Sequence, residues 1–402
     1  MRDLPSAIQR IINDDPTEKK NVGSFTSIHT NPVVTQNLFH YLNKNLVDKN
    51  GYKSLSIFEK EIDKFFKKMF DNKNGSTIVT SGSTESILLA FHYAREKARD
   101  VKNITKPNIL IPEHAHYSLG RCARMLNIEI RKIKVNKQCT IDLEDVRQKV
   151  DENTILIAGI LVSTELGVID DLVELDKIAG EHNTEIHVDA AIGGFIIPYL
   201  KTDLKYKFSQ LKHMASMNIS GHKFGLSLCG CGVLMLRDKH ITEKYTESID
   251  YLSSGAKKMD NFMVTSSALG LFSLYANLSL YGVTGYKQFA REYMKTKKQL
   301  LKKFAEIGLQ CYPGAEFSPH IFIYGDDVHE LSRFLERKGW VQHVYKAKGF
   351  PHEGIRIVVK KDQESRLLHN FVDDIKEFKN FGYQKVKYTP MEHIATPKSI
   401  LN

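Results

Sequence analysis

Seven short β-type runs alternate with amphipathic, helix-length stretches through the middle of this 402-residue chain, and that alternation constrains the fold more than any other feature. The runs fall at 77–80, 108–112, 129–135, 154–160, 185–188, 214–219 and 232–236. Helical patterns lie between them at 84–97, 117–126, 143–150 and 172–182. A strand, a helix and a second strand in succession pack best as a parallel strand pair with the helix crossing one face. The expected fold is α/β: a mostly parallel, seven-stranded sheet with helices on both faces. Ligands in such sheets sit beyond the carboxyl ends of the strands, so the polar residues that follow each run are the place to look for chemistry.

After Thr265 the pattern changes. Long helical segments at 266–280 and 286–307 lead into short strands at 320–324, 341–345 and 355–360, with helices at 328–338 and 363–378. That is a smaller α+β unit. The expected division is an N-terminal arm over 1–50, a large domain over 51–283, and a small C-terminal domain with its tail over 284–402. The tail from Gly382 has weak periodicity and is expected either to be loose or to dock on a partner subunit.

Composition narrows the class. Hydrophobic residues make up 42% and charged residues 26%, the balance of a globular chain with a sizeable core. No apolar run reaches the ~18 residues that a membrane span needs, and the start lacks the apolar centre of a secretory signal. A cytoplasmic protein with no membrane role is expected. Five sparse cysteines, Cys122, Cys139, Cys229, Cys231 and Cys311, fit a reducing compartment better than a disulfide framework. The close pair Cys229-Gly230-Cys231 lacks further ligands at metal-site spacing and reads as small residues in a buried strand, so no metal is expected. The formal charge of +10 invites a nucleic-acid partner. The lysines are spread, however, as in Lys64-Phe65-Phe66-Lys67-Lys68 and Lys295-Thr296-Lys297-Lys298, and such runs read as solvated helix faces. No nucleic acid is expected; a surface that draws in anionic small molecules is the milder reading.

Two motifs carry the chemistry. Lys223, in Ser220-Gly221-His222-Lys223-Phe224-Gly225, lies 34 residues after Asp189 of His187-Val188-Asp189-Ala190-Ala191. A strand-end lysine among small residues is able to approach a cofactor, and desolvation lowers its pKa toward nucleophilic use. Asp189 follows a strand, and small Ala191 would let a flat ring lie close. The bland alternatives are a surface lysine and an aspartate capping the next turn. Taken together, an amine and a carboxylate suit the two polar ends of pyridoxal 5′-phosphate (PLP), an electron sink only while its pyridine nitrogen is protonated.

Three further segments support a site. Thr80-Ser81-Gly82-Ser83-Thr84-Glu85-Ser86 follows a strand and opens a helix, where backbone N–H groups and the Ser83 and Thr84 hydroxyls suit a phosphate, or form no more than a good cap. His222 is a second candidate for phosphate contact. His114-Ala115-His116-Tyr117-Ser118 places an imidazole after a strand, able to stack on a cofactor ring or move a proton. Arg356, in Gly354-Ile355-Arg356-Ile357, is a candidate grip for a substrate carboxylate, or an edge-strand ion-pair partner.

With these motifs in their order and spacing, the sequence resembles the group II PLP-dependent decarboxylases of fold type I, over about 27–378. Gly167-Val168-Ile169-Asp170 is a further marker. Asn31-Pro32, Phe58-Glu59-Lys60-Glu61 and Gly339-Trp340 resemble the archaeal-type L-tyrosine/L-aspartate decarboxylases, and the run from Thr80 is also similar to sphingosine-1-phosphate lyases. Bacterial histidine decarboxylases share Ser220-Gly221-His222-Lys223 and Ile249-Asp250-Tyr251. The resemblance implies that Lys223 carries the cofactor as a Schiff base, Asp189 pairs the pyridine nitrogen and His116 stacks on the ring. It also implies Ser83, Thr84 and Ser220 or His222 at the phosphate, and Thr164 and Ser267 near the cofactor. Relatives carry Thr-Gly-Ser-Arg where this chain has Thr265-Ser266-Ser267-Ala268, so the job of that arginine is vacant or moved here.

The expected function is decarboxylation of an L-amino acid to its amine, in a homodimer whose sites are shared through the 265–268 segment. Tyr345 and Tyr251 are candidates for the acid that protonates Cα. The rival enzyme is a PLP-dependent carbon–carbon lyase acting on a phosphorylated amino alcohol, ahead of an aminotransferase or desulfurase. The rival outside catalysis is a basic RNA-binding scaffold on an inactive fold.

Overall fold

Each β-type run of the middle region forms a strand: β1 (Ser76–Thr80), β2 (Asn108–Pro112), β3 (Glu129–Ile133), β4 (Thr154–Ile160), β5 (Glu185–Asp189), β6 (Met214–Ser220) and β7 (Gly232–Leu236). This computed structural model describes residues 20–26, 31–48, 51–250, 255, 257–258, 260–361 and 365–381. The strands form one seven-stranded sheet in the order β1-β7-β6-β5-β4-β2-β3. All run in one direction except β7, which is antiparallel to its neighbours β1 and β6. β2, β4 and β7 are buried along their whole length, which their near-continuous apolar sequence permits because helices cover both faces. β3, at the edge, is more exposed and carries Glu129, Arg131 and Lys132, charges that discourage pairing with another chain.

α1 (Pro32–Asn37) packs on the long helix that follows the sheet, and the covering helices are α2 (Lys53–Met69), α3 (Ser83–Lys102), α4 (Tyr117–Met125), α5 (Leu143–Lys149) and α6 (Leu172–Glu181). Asp142 and Asp171 cap α5 and α6 by accepting backbone N–H bonds, which fixes where those helices begin. α2 buries Leu55, Ile62 and Phe66 along one stripe against β1 and the long helix that follows, at about 2 kcal/mol per side chain, and leaves Lys64 and Lys68 on the outer face.

Beyond β7 come α7 (His240–Tyr245), the short pair β8 (Ser248–Ile249) and β9 (Lys257–Lys258), and α8 (Leu269–Glu306). α8 breaks at Gly282, where φ 53° and ψ −169° need the freedom of glycine. Its first half buries Leu271, Leu274 and Leu278, and its second half buries Tyr286, Tyr293, Leu300 and Phe304. An antiparallel sheet in the order β10-β11-β13-β12 follows, built from β10 (Gln310–Tyr312), β11 (His320–Tyr324), β12 (Val344–Lys346) and β13 (Glu353–Val358). α9 (Val328–Arg337) and α10 (Ser365–Phe381) complete this unit. Among the described residues no helix is long and apolar enough to cross a membrane.

Three expectations change. The strand expected at 341–345 begins only at Val344, because Val341 pairs instead with Asn21 of the arm. Lys297, read as part of a solvated face, is 4% exposed and donates to the Ala315 and Ser318 carbonyls at 2.8 Å each. Of the cysteine pair, only Cys231 is buried: Cys229 is exposed, and Gly230 (φ 83°) turns the chain ahead of β7. Residues 1–19 of the arm, Tyr251 and the tail over 382–402 lie outside the described residues.

Candidate active site

The carboxyl ends of β1, β2, β4, β5 and β6 open on one cavity of about 280 Å³. Its lining includes Ser83, Thr84, His116, Thr164, Asp189, Ala191, Ser220, His222 and Lys223. Ser267 and Arg356 do not line it.

Lys223 sits in the turn after β6, with its Nζ 5.2 Å from the centre of the Phe25 ring. Burial pulls its amine down to about 8, against the attraction of Asp189 and with the help of Arg356. A neutral, nucleophilic fraction therefore exists near physiological pH. Asp189 ends β5, and its Oδ1 accepts from the Ala191 N–H at 3.0 Å and the Asn218 side-chain amide at 2.9 Å. The turn-capping and cavity-lining readings of Asp189 thus coexist in one side chain.

Another wall is the start of α3. Gly82 is the cap residue and has no side chain to satisfy the first N–H groups, which by the geometry of a helix lack partners within it. Glu85 reaches back to accept from the Ser81 N–H at 2.6 Å, a box-like contact that fixes the turn. Ser83 Oγ lies 2.7 Å from Ser220 Oγ, which ties this wall to the lysine turn. A Cβ on Gly232 would meet the Gly82 carbonyl carbon at 2.4 Å and the Ser83 nitrogen at 2.7 Å, so β7 and the helix start approach as closely as glycine allows. His222 donates from Nδ1 to the Cys231 carbonyl at 2.8 Å, and burial lowers its pKa.

His116 caps α4, and its Nδ1 accepts from the Ser118 N–H at 3.3 Å. The neutral ring therefore carries its proton on Nε2. Its pKa is lowered, first by burial and then by the nearby Lys223 and Arg356 charges, while Asp189 opposes them. His114 belongs elsewhere: it is buried with Nε2 3.3 Å from Asp170 Oδ1. Burial opposes its charge, but Asp170 prevails and raises its pKa. Asp170 also accepts from the Ile141 and Ile160 N–H groups, which accounts for an acid at the end of the Gly167-Val168-Ile169-Asp170 run. Val162, another lining residue, sits at φ 151°, a strained conformation for a β-branched side chain.

Arg356 donates from Nε and Nη2 to the Gly23 carbonyl and from Nη1 to the Thr164 carbonyl. It clasps the arm, the cavity wall and the small sheet together, with Phe25 4.5 Å from its guanidinium. Tyr345 donates to the Glu165 carbonyl at 2.8 Å, outside the lining. Ser267 Oγ accepts from the Leu269 N–H, and the segment is zipped to the arm through Asn45. Ala268 is fully buried.

Sequence reasoning passed over Phe25, Glu85 and Asn218. Glu85 had a signal, an acid three residues after a cap position. Asn218 had one too, a polar residue in the middle of a buried strand. Phe25 had none, since only folding brings it beside Lys223.

This constellation suits PLP: an amine, a held carboxylate, and a helix N-terminus with a glycine-permitted cradle. A family model for the pyridoxal-dependent decarboxylase conserved domain matches residues 18–308. The chain belongs to that family. Its cofactor is PLP, and its fold is that of the type I PLP enzymes. L-aspartate decarboxylase of Thermococcus kodakarensis is 29% identical over 366 residues, covering 89% of this chain and 91% of that protein. A probable L-tyrosine/L-aspartate decarboxylase of Methanococcus maripaludis is 29% identical over 357 residues, covering 85% of this chain and 89% of that one. Among solved structures, Lactobacillus brevis glutamate decarboxylase matches with a TM-score of 0.83 at 25% identity, covering 94% of this chain and 92% of that one. Sphingosine-1-phosphate lyase of Burkholderia pseudomallei matches with a TM-score of 0.81 at 20% identity, covering 94% and 90%, a likeness of fold alone.

Proposed function

We propose that this decarboxylase-family chain removes the α-carboxyl group of an L-amino acid as carbon dioxide and releases the amine. The observation that carries the reading is a lysine with a lowered pKa and a hydrogen-bonded aspartate lining one cavity beside a helix N-terminus. Bound PLP supplies a sink for the electron pair left when the Cα–carboxylate bond breaks. Lys223 is the covalent anchor, its amine kept nucleophilic by burial. Asp189 is the group to hold the pyridine nitrogen protonated. The α3 N–H groups, Ser83, Thr84, Ser220 and His222 are the phosphate holders, and His116 and Ala191 flank the ring, with Thr164 nearby. Arg356 adds the positive charge toward which a substrate carboxylate is drawn.

That charge, and the relatives' substrates, make L-aspartate the first amino acid to test, followed by glutamate, tyrosine and histidine. Purified protein with PLP should release carbon dioxide from one of a twenty-amino-acid panel, and Lys223→Ala should release none. Aldehyde release from a phosphorylated amino alcohol, with no carbon dioxide from any amino acid, would instead establish the lyase alternative, which has only the fold likeness behind it.

The arm over 1–50, the large domain over 51–283 and the small domain over 284–402 are the working division, supported by the break at Gly282. We also propose a cytoplasmic homodimer. The free cysteines support the compartment. Phe262, Met263 and Val264 support the dimer: they are 58%, 48% and 39% exposed just ahead of Ser267, and the Met263 N–H donates to the cavity residue Glu85. Sedimentation that finds a fully active monomer would end the dimer proposal.

A further inference from the structure

β5 and β6 are parallel neighbours whose register sets His187 beside Ser216 and Asp189 beside Asn218. Residues two apart on a strand share a face, so these four side chains gather on one side of the sheet. All are buried: His187 and Asn218 are fully enclosed, Ser216 is 2% exposed and Asp189 is 7% exposed. They form an unbroken series, with Ser216 Oγ to His187 Nδ1 at 2.8 Å, His187 Nε2 to Asn218 Oδ1 at 2.8 Å, and Asn218 Nδ2 to Asp189 Oδ1 at 2.9 Å.

The direction of every bond in that series follows from its last member. A carboxylate only accepts, so Asn218 must turn its NH₂ toward Asp189 and its carbonyl toward His187. The reversed amide would set two acceptors against each other at hydrogen-bond distance. The Asn218 carbonyl then requires a proton on His187 Nε2. Burial depresses the His187 pKa to about 4, although Asp189 and Asn218 pull it upward, so the ring is neutral and Nδ1 is an acceptor. Ser216 therefore donates its hydroxyl proton to Nδ1. With the Ala191 N–H, Asp189 Oδ1 receives two donors, which fix the direction of its carboxylate.

We propose that Ser216, His187 and Asn218 are positioning residues, a one-way hydrogen-bond chain that holds Asp189 oriented for the cofactor's ring nitrogen. The proposal rests on the role given to Asp189 above. His187 is fixed in one tautomer and transfers no proton; the ring it touches edge-on, that of Phe91 at 5.5 Å, keeps it in place.

Two measurements test the chain. In the cofactor-free wild type, long-range ¹⁵N spectra of labelled histidine, with His187 assigned by His187→Gln, should show protonated Nε2 and acceptor Nδ1 throughout pH 6–8. A proton on Nδ1, or an imidazolium in that range, overturns the proposal. Titration of cofactor-free protein with PLP should give a Kd about 10- to 100-fold weaker for Asn218→Leu, the loss expected for one hydrogen bond to a charged group. Ser216→Ala should weaken binding only a few-fold and leave the proton on Nε2, where the Asn218 carbonyl still holds it, and Ser216→Thr should reverse the loss. Equal PLP affinity in wild type and Asn218→Leu would sink the chain's role. A wild type that binds no PLP would sink the cofactor reading instead, and the tautomer, measured without cofactor, still judges the chain even where a variant fails to fold.

Discussion

Lys223 and Lys297 are both lysines whose amines are pulled down to about 8 by burial. Their surroundings differ. Lys297 sits in the second half of α8 and gives its protons to two backbone carbonyls of the loop before β11, so its nitrogen is already engaged. Lys223 lines a cavity, faces the charge of Asp189 and has an aromatic ring, Phe25, close to its amine. A perturbed pKa therefore marks a desolvated group and nothing more; an open cavity and a complementary charge are what make one of the two a candidate nucleophile.

The comparison breaks most readily at Lys223. Lys223→Ala should lower carbon dioxide release by about a thousandfold or more and leave the melting temperature nearly unchanged, since an anchor lost from the chemistry is not an anchor lost from the core. Residual turnover within tenfold of wild type would remove Lys223 from the chemistry. Lys297→Met should do the reverse, destabilising the fold by about 3 kcal/mol in urea melts because the Ala315 and Ser318 carbonyls lose their donor, with turnover of the folded fraction changed less than about threefold.

A pH series sharpens the contrast. Between about pH 8 and 10.5, the unfolded chain keeps a proton on Lys297 that the folded chain has released. The unfolded state then binds more protons, so stability rises with pH across that window, by at most about 1.4 kcal/mol per pH unit. Wild type should gain on Lys297→Met from pH 8 to pH 10. A flat difference would show that Lys297 titrates at its ordinary pKa, and a shrinking one that its pKa is raised. The smallest expected effect is at Phe25. Phe25→Ala admits water beside Lys223, so the pH midpoint for PLP capture should move up from about 8 and capture at pH 7 should slow by several-fold. An unmoved midpoint would assign the desolvation to other walls.

Much of the architecture was readable in advance, for a physical reason. β2, β4 and β7 run over the residues expected of them because a strand buried on both faces must be apolar throughout, and Gly or polar residues end it. The helix behind Lys295–Lys298 was readable too, but the depth of Lys297 was not. One lysine in a basic run looks like its neighbours until the loop at 315–318 is laid against it. The start of β12 moved for the same kind of reason, since the competing partner of Val341 comes from residue 21.

By itself, the sequence determined the α/β class, the strand ends that carry Ser83, His116, Asp189 and Lys223, and the cofactor those residue types suit. Local periodicity and side-chain chemistry are enough for that, because each depends on neighbours along the chain. Only the tertiary structure decided that Phe25 packs beside Lys223 and Arg356 from the far end of the chain, that Ser267 stays outside the cavity, and that Asn218 and His187 stand behind Asp189. Those contacts join residues up to 333 positions apart, and the register and packing that create them exist only once the sheet has formed.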